Sequence, residues 1–89
     1  NSIMALLIIP DGTFIEDWPA DCLEHWQNAV DGYVEAIHLT NGDTMLVNEE
    51  GMLRSLPQNE YAMSYCDNKH IIWGRALVLS PDEWENANV

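Results

Sequence analysis

The segment Asp31–Asn59 (DGYVEAIHLTNGDTMLVNEEGMLRSLPQN) constrains the fold more than any other stretch of the chain. Val34, Ala36 and His38 alternate with Tyr33, Glu35, Ile37 and Leu39, which is the two-residue period of a strand. Asn41-Gly42 follows, and both residues tolerate the positive φ of a type I′ turn, so a hairpin is expected. Thr44–Asn48 is the return strand. Asn48-Glu49-Glu50-Gly51 turns the chain again, with Gly51 suited to a left-handed position. A short apolar segment, Met52–Leu56, ends at Pro57, because the residue before proline is held away from helical geometry. The segment specifies architecture and carries no catalytic constellation.

The flanks complete an α+β pattern. Ala5–Ile9 is an apolar run closed by Pro10-Asp11-Gly12 and reads as a buried strand. Thr13–Ile15 extends it or forms a hairpin partner. Trp18–Val30 reads as the main helix, with Asp17 as its cap, Pro19 in the first turn and Gly32 as its stop. Cys22, Leu23, Trp26, Ala29 and Val30 form one stripe at helical spacing. Asn59 is placed to cap a short helix over Asn59–Tyr65, with Ala62, Met63 and Cys66 facing inward. Asp67-Asn68-Lys69 is a turn. Ile71–Leu79 is the most strand-like run, and Gly74 within it marks a bulge or a close backbone approach. Ser80-Pro81-Asp82-Glu83 is a capping box that opens a last helix. The expectation is a single domain: an antiparallel sheet of about four or five strands with the Trp18–Val30 helix on one face. Leu23, Trp26 and Val30 should then meet Ile37, Leu46 and the strand ending at Leu79. Met4 reads as an initiator and Asn1-Ser2-Ile3 as a remnant outside the functional argument.

Charge narrows the function. Fifteen Asp and Glu oppose three Lys and Arg in 89 residues, a formal net charge of −12. The acids run from Asp11 to Glu85, singly or in pairs such as Glu16-Asp17, Glu49-Glu50 and Asp82-Glu83. A broadly negative surface repels phosphate backbones and attracts basic ones. The plainer reading is that the acids serve solubility or a salty host. The apolar run at residues 4–9 is too short for a signal or transmembrane segment, so no membrane role is expected.

Chemistry is sparse. Cys22 and Cys66 match no metal or redox spacing and read as buried free thiols. His25, His38 and His70 form no finger or HExxH pattern with them, so no metal or other cofactor is expected. Ser55, Ser64 and Ser80 lie in no nucleophile elbow, and no glycine-rich phosphate loop occurs. The expectation is a protein that is not an enzyme.

One resemblance is carried by Gly32-Tyr33-Val34-Glu35, Asn48-Glu49-Glu50-Gly51, Leu53, Leu56-Pro57, Asn59, Ala62 and Ile72 with Gly74. In this order, over about two thirds of the chain, the residues resemble a family of small domains of unknown function from bacteriophages and mobile elements. The family pattern opens Gly-Gly-Tyr, where this chain has Asp31. It places Lys after the second turn, where this chain has Met52. The resemblance implies a phage or mobile-element origin and action in the host cytoplasm. It implies no activity.

Three functions are compatible with these residues. The first is an accessory protein that binds a host protein with a basic surface, as a decoy for a surface that holds nucleic acid. Glu49 and Glu50 would lead the contact, with Glu35, Asp43 or Glu60 nearby and Trp84 as an exposed aromatic. Turn and cap chemistry accounts for Asn48, Gly51 and Asn59 without a ligand, and terminal packing accounts for Trp84. The second is a sponge for a nucleotide signal of host defence. It would need Arg54, Lys69 and Arg75, pooled across a homo-oligomer, as its anion site. The third is a structural acidic domain with no ligand. Direct nucleic-acid binding is disfavoured, because no basic stripe exists.

Overall fold

The computed structural model describes residues 4–89. Asn1, Ser2 and Ile3 lie outside the described residues. Five strands form one antiparallel sheet: β1 (Met4–Ile8), β2 (Phe14–Pro19), β3 (Val34–His38), β4 (Thr44–Asn48) and β5 (Ala76–Leu79), in the order β2-β1-β5-β4-β3. Helices α1 (Leu23–Val30), α2 (Glu60–Tyr65) and α3 (Pro81–Asn86) complete the domain. The α+β architecture is the one read from the sequence.

The central strands β5 and β4 are apolar on both sides and buried on both sides. Leu46, Leu77 and Leu79 face α1, where Trp26, Ala29 and Val30 close one core with Trp84 of α3 at its rim. Ile8, Met45, Val47 and Val78 face the other way, under Ala62 of α2 and Cys66 and Ile72 of the following segment. Each fully buried Leu, Ile or Met contributes about 1.5–3 kcal/mol. A sheet covered on both faces explains why the middle of β4, Met45–Val47, is apolar without alternation.

Several local expectations fail for identifiable reasons. The main helix starts at Leu23, not Trp18. Asp17-Trp18-Pro19 mimics a cap followed by an N1 proline, but Trp18 and Pro19 pair with Ala5 and Met4 instead. Pro19 is accommodated because β2 is an edge strand. Asp17 sits at φ 61 in a bulge opposite Leu6, a left-handed position that Asp tolerates. The cap of α1 is Cys22, which makes no side-chain cap bond, and Cys22 is half-buried rather than buried. Leu23 is largely exposed, so the apolar stripe begins at Trp26. Asp31, not Gly32, takes the left-handed position that ends the helix.

The hairpin forms with the expected strands but a different turn. Asn41 keeps a negative φ and only Gly42 is left-handed, at φ 96. Gly42 N–H donates to Leu39 O, and Leu39 N–H donates to Asp43 O. This is a three-residue loop with a glycine bulge rather than a type I′ turn. Ile37 lies on the face opposite α1 and does not meet Trp26. The run 71–79 yields only a four-residue strand, because Gly74 at φ 84 turns the chain beside Leu56 before β5 begins. Gly51 does not adopt a positive φ. Its hydrogen is needed for another reason: a Cβ there would lie 2.9 Å from Trp73 O.

The caps predicted for α2 and α3 hold. Asn59 Oδ1 accepts from Ala62 N–H at the start of α2. Ser80 and Glu83 form both bonds of the capping box at 3.2 and 2.7 Å. Cys66 is a buried free thiol.

Candidate functional site

Two buried asparagines fix the ends of the sheet. Asn59 is fully buried and donates from Nδ2 to Ile8 O at 3.0 Å and Gly74 O at 2.9 Å. Asn48 donates to Val30 O at 3.0 Å and Asp31 O at 3.2 Å, and its Oδ1 accepts Glu50 N–H at 2.8 Å. Both side chains therefore satisfy backbone groups that burial would otherwise leave unpaired. Asn48 also sets the direction in which the turn at residues 49–51 leaves β4. Both asparagines that carry the family resemblance thus have a structural task.

What Asn48 and Gly51 position is an open groove of about 530 Å³ along β3. Ile37 and Val47 form its apolar floor, and His70, Ile71, Ile72 and Met52 its far wall. Met52 is 62% exposed and Ile71 55%. Tyr33 is 64% exposed, and strand alternation places it on the same side as Glu35 and Ile37. Glu35 and Glu49 line the groove; no Lys or Arg does. Glu50 is exposed in the adjoining turn.

The groove runs along an open sheet edge. Tyr33 O accepts Glu49 N–H, and Leu39 N–H donates to Asp43 O, so the odd-numbered residues of this strand bond to β4. By antiparallel alternation, Val34, Ala36 and His38 direct their N–H and C=O groups away from the sheet.

Of the residues singled out by sequence, Glu35, Glu49 and Glu50 come together. Asp43 does not join them. Its carboxylate accepts the Tyr65 hydroxyl at 2.8 Å beside a separate depression lined by Glu16, Asp17 and Glu83. Burial, and then that hydrogen bond, push the Tyr65 phenol up to about 12. Glu60 is exposed in the first turn of α2, where its charge suits the helix dipole, and does not line the groove. Trp84 is not a free aromatic contact. It stacks on Trp26 at 5.4 Å and meets the His38 ring edge-on, so terminal packing accounts for it.

The three basic residues do not converge. Arg54 donates to Asp31 O at 2.7 Å, and Arg75 to Asn28 O at 3.4 Å, so both sit at the C-terminal end of α1, where cations suit exposed carbonyls. Lys69 lies in the turn after α2, beside a smaller depression lined by Tyr65, Asp67 and His70. Among the described residues no group of three or more His, Cys, Asp or Glu side chains is placed to hold a metal ion. No described helix is long and apolar enough to cross a membrane.

Sequence reasoning found the acidic members of the groove and missed the rest, the apolar Ile37, Met52 and Ile71 and the imidazole of His70. No local pattern marks them, because they meet only through the strand order and the tight passage of Gly51 under Trp73.

Fold and surface together define a small acidic α+β domain with one open sheet edge beside an apolar groove. The chain belongs to the family described as Domain of unknown function (DUF3846), whose model matches residues 3–88. No curated protein and no solved structure matches the chain.

Proposed function

We propose that this protein is a non-enzymatic accessory protein that binds a basic surface on another protein, as a decoy for nucleic acid. One observation carries the reading. The chain has a net charge of −12, and two of its three basic side chains are turned onto the carbonyls at the end of α1. What faces outward is overwhelmingly anionic, and a negative field accelerates encounter with a basic partner. The sequence resemblance to phage and mobile-element domains supports a host protein as that partner and the host cytoplasm as the place of action. The nucleotide-sponge reading is weaker, since Arg54, Arg75 and Lys69 would have to serve an anion from separate positions.

Native mass spectrometry of the protein retrieved from host lysate distinguishes a protein partner from a retained small molecule. With the partner in hand, duplex DNA should compete for it, and association should slow as salt rises from about 0.05 to 0.3 M, as screening shortens. Glu49→Gln/Glu50→Gln should keep the fold, bind more slowly and show a shallower salt dependence. A retained nucleotide, or a partner indifferent to both DNA and salt, overturns the reading.

A further inference from the structure

We infer that the free edge of β3 is the docking site for an extended basic segment of the partner, which adds to the sheet as a sixth strand. The inference rests on the basic-partner reading above and says where and how that partner binds.

Three observations converge on this edge. First, the outward N–H and C=O groups of Val34, Ala36 and His38 form a regular template without a bulge, a proline or a lysine. An added strand satisfies those groups, and main-chain bonds of this kind supply affinity in strand addition. Second, the groove of Ile37, Val47, Ile71 and Met52 lies directly beside the edge. Alternate side chains of an added strand fall on one face, so every second residue of the segment can enter this groove. Third, the groove beside the edge is lined by carboxylates and by no Lys or Arg. Glu35 and Glu49 line the groove and Glu50 adjoins it, beside His38, His70 and Tyr33, and the one cation near the start of the strand, Arg54, is held on the backbone carbonyl and carboxylate of Asp31.

Charge decides among the possible occupants. A second copy of this chain would bring −12 against −12 and place carboxylates on both sides of the junction. Nucleic acid meets the same repulsion. A segment alternating Lys or Arg with Val, Ile or Leu matches the edge, the groove and the carboxylates at once.

The test uses the full chain labelled with ¹⁵N and a blocked hexapeptide, acetyl-Lys-Val-Arg-Val-Lys-Val-amide. An acidic counterpart with Glu at the charged positions is the control. At low ionic strength the basic peptide should shift the amides of Val34, Ala36 and His38 and slow their hydrogen exchange at least tenfold, while the acidic peptide does neither. Ala36→Pro removes one outward N–H without touching the bonds to β4 and should lower peptide affinity at least tenfold. Glu35→Gln/Glu49→Gln should lower it severalfold and flatten its salt dependence. Should Ala36→Pro not fold, the exchange of the wild-type amides decides. If the peptide binds but leaves those amides unprotected, or if folded Ala36→Pro binds it as wild type does, the edge is not the site, while the basic-partner reading stands. If neither peptide binds, or both bind equally, the inference fails. A concentration-dependent dimer that protects the same amides without peptide assigns the edge to a second copy and overturns it too.

Discussion

The two edges of the sheet, β2 and β3, are built to opposite specifications. β2 is interrupted by a bulge at Glu16-Asp17, carries the left-handed Asp17 and ends in Pro19, which has no N–H to offer. Two exposed acids stand on it. These are common devices by which natural sheets discourage a further strand. β3 carries one exposed acid, Glu35, but no bulge, left-handed residue or proline within its five paired residues, and it lies beside an apolar groove. One domain therefore blocks one edge and leaves the other open. That difference is what the proposed strand addition at β3 builds on.

The comparison is broken most severely by removing what holds β3 in place. Asn48→Ala strips the buried amide that binds Val30 O and Asp31 O and receives Glu50 N–H. Leaving such groups unpaired should cost about 2–4 kcal/mol, read as a lower urea midpoint. On the blocked edge, Asp17→Gly should change stability by less than about 1 kcal/mol, because glycine takes the φ of 61 freely and no core contact is lost.

A proline pair sharpens the contrast within β3 itself. Ile37→Pro removes an N–H directed at β4 and an apolar side chain packed on the second core, and should destabilise by about 2–3 kcal/mol. Ala36→Pro, one residue away, removes an N–H directed at solvent and should cost less than about 1 kcal/mol. Equal losses in thermal or urea unfolding would show that the assigned alternation along β3 is wrong.

Much of this architecture is legible in local sequence. Ser80-Pro81-Asp82-Glu83, Asn59 and the alternation at residues 33–39 mean what they say, because caps and strands depend on neighbours in the chain. Asp17-Trp18-Pro19 misleads for the complementary reason. Its local preference is for a helix start, and pairing with β1 overrides it. Gly51 is similar: the residue type is right for a turn, yet its task is to pass under Trp73, which is set by tertiary packing. The acids of the groove could be picked out because charge is visible in a sequence. The open edge could not, since only the strand order decides which strands are outermost.

The third prediction concerns the cap of α3, whose Trp84 packs beside His38 of β3. Ser80→Ala removes one bond of the capping box and should cost about 1 kcal/mol, with His38 and Trp84 resonances shifting together. The smallest effect is at the hairpin tip. Tyr65 donates to Asp43, and its phenol ionises at about 12 in the folded chain against an ordinary 10.0. Between those values the folded chain keeps a proton that the unfolded chain has lost. The stabilisation is complete below pH 10 and disappears as pH rises towards 12. Tyr65→Phe should therefore flatten the alkaline decline in unfolding midpoint, and absorbance titration of the phenols should lose its highest step.

The placement of the basic side chains makes trypsin a probe of this fold. Its cleavage sites are three: Arg54 and Lys69 in surface turns, and Arg75 one residue before the central strand β5. Cutting after Arg54 or Lys69 requires only that a surface turn yield, whereas cutting after Arg75 requires β5 to leave the middle of the sheet. The order in which the fragments arise therefore reads local loosening of the turns separately from global opening. A strand held on β3 should delay the first two cuts and leave the ratio between opening and closing at the third to report its binding free energy.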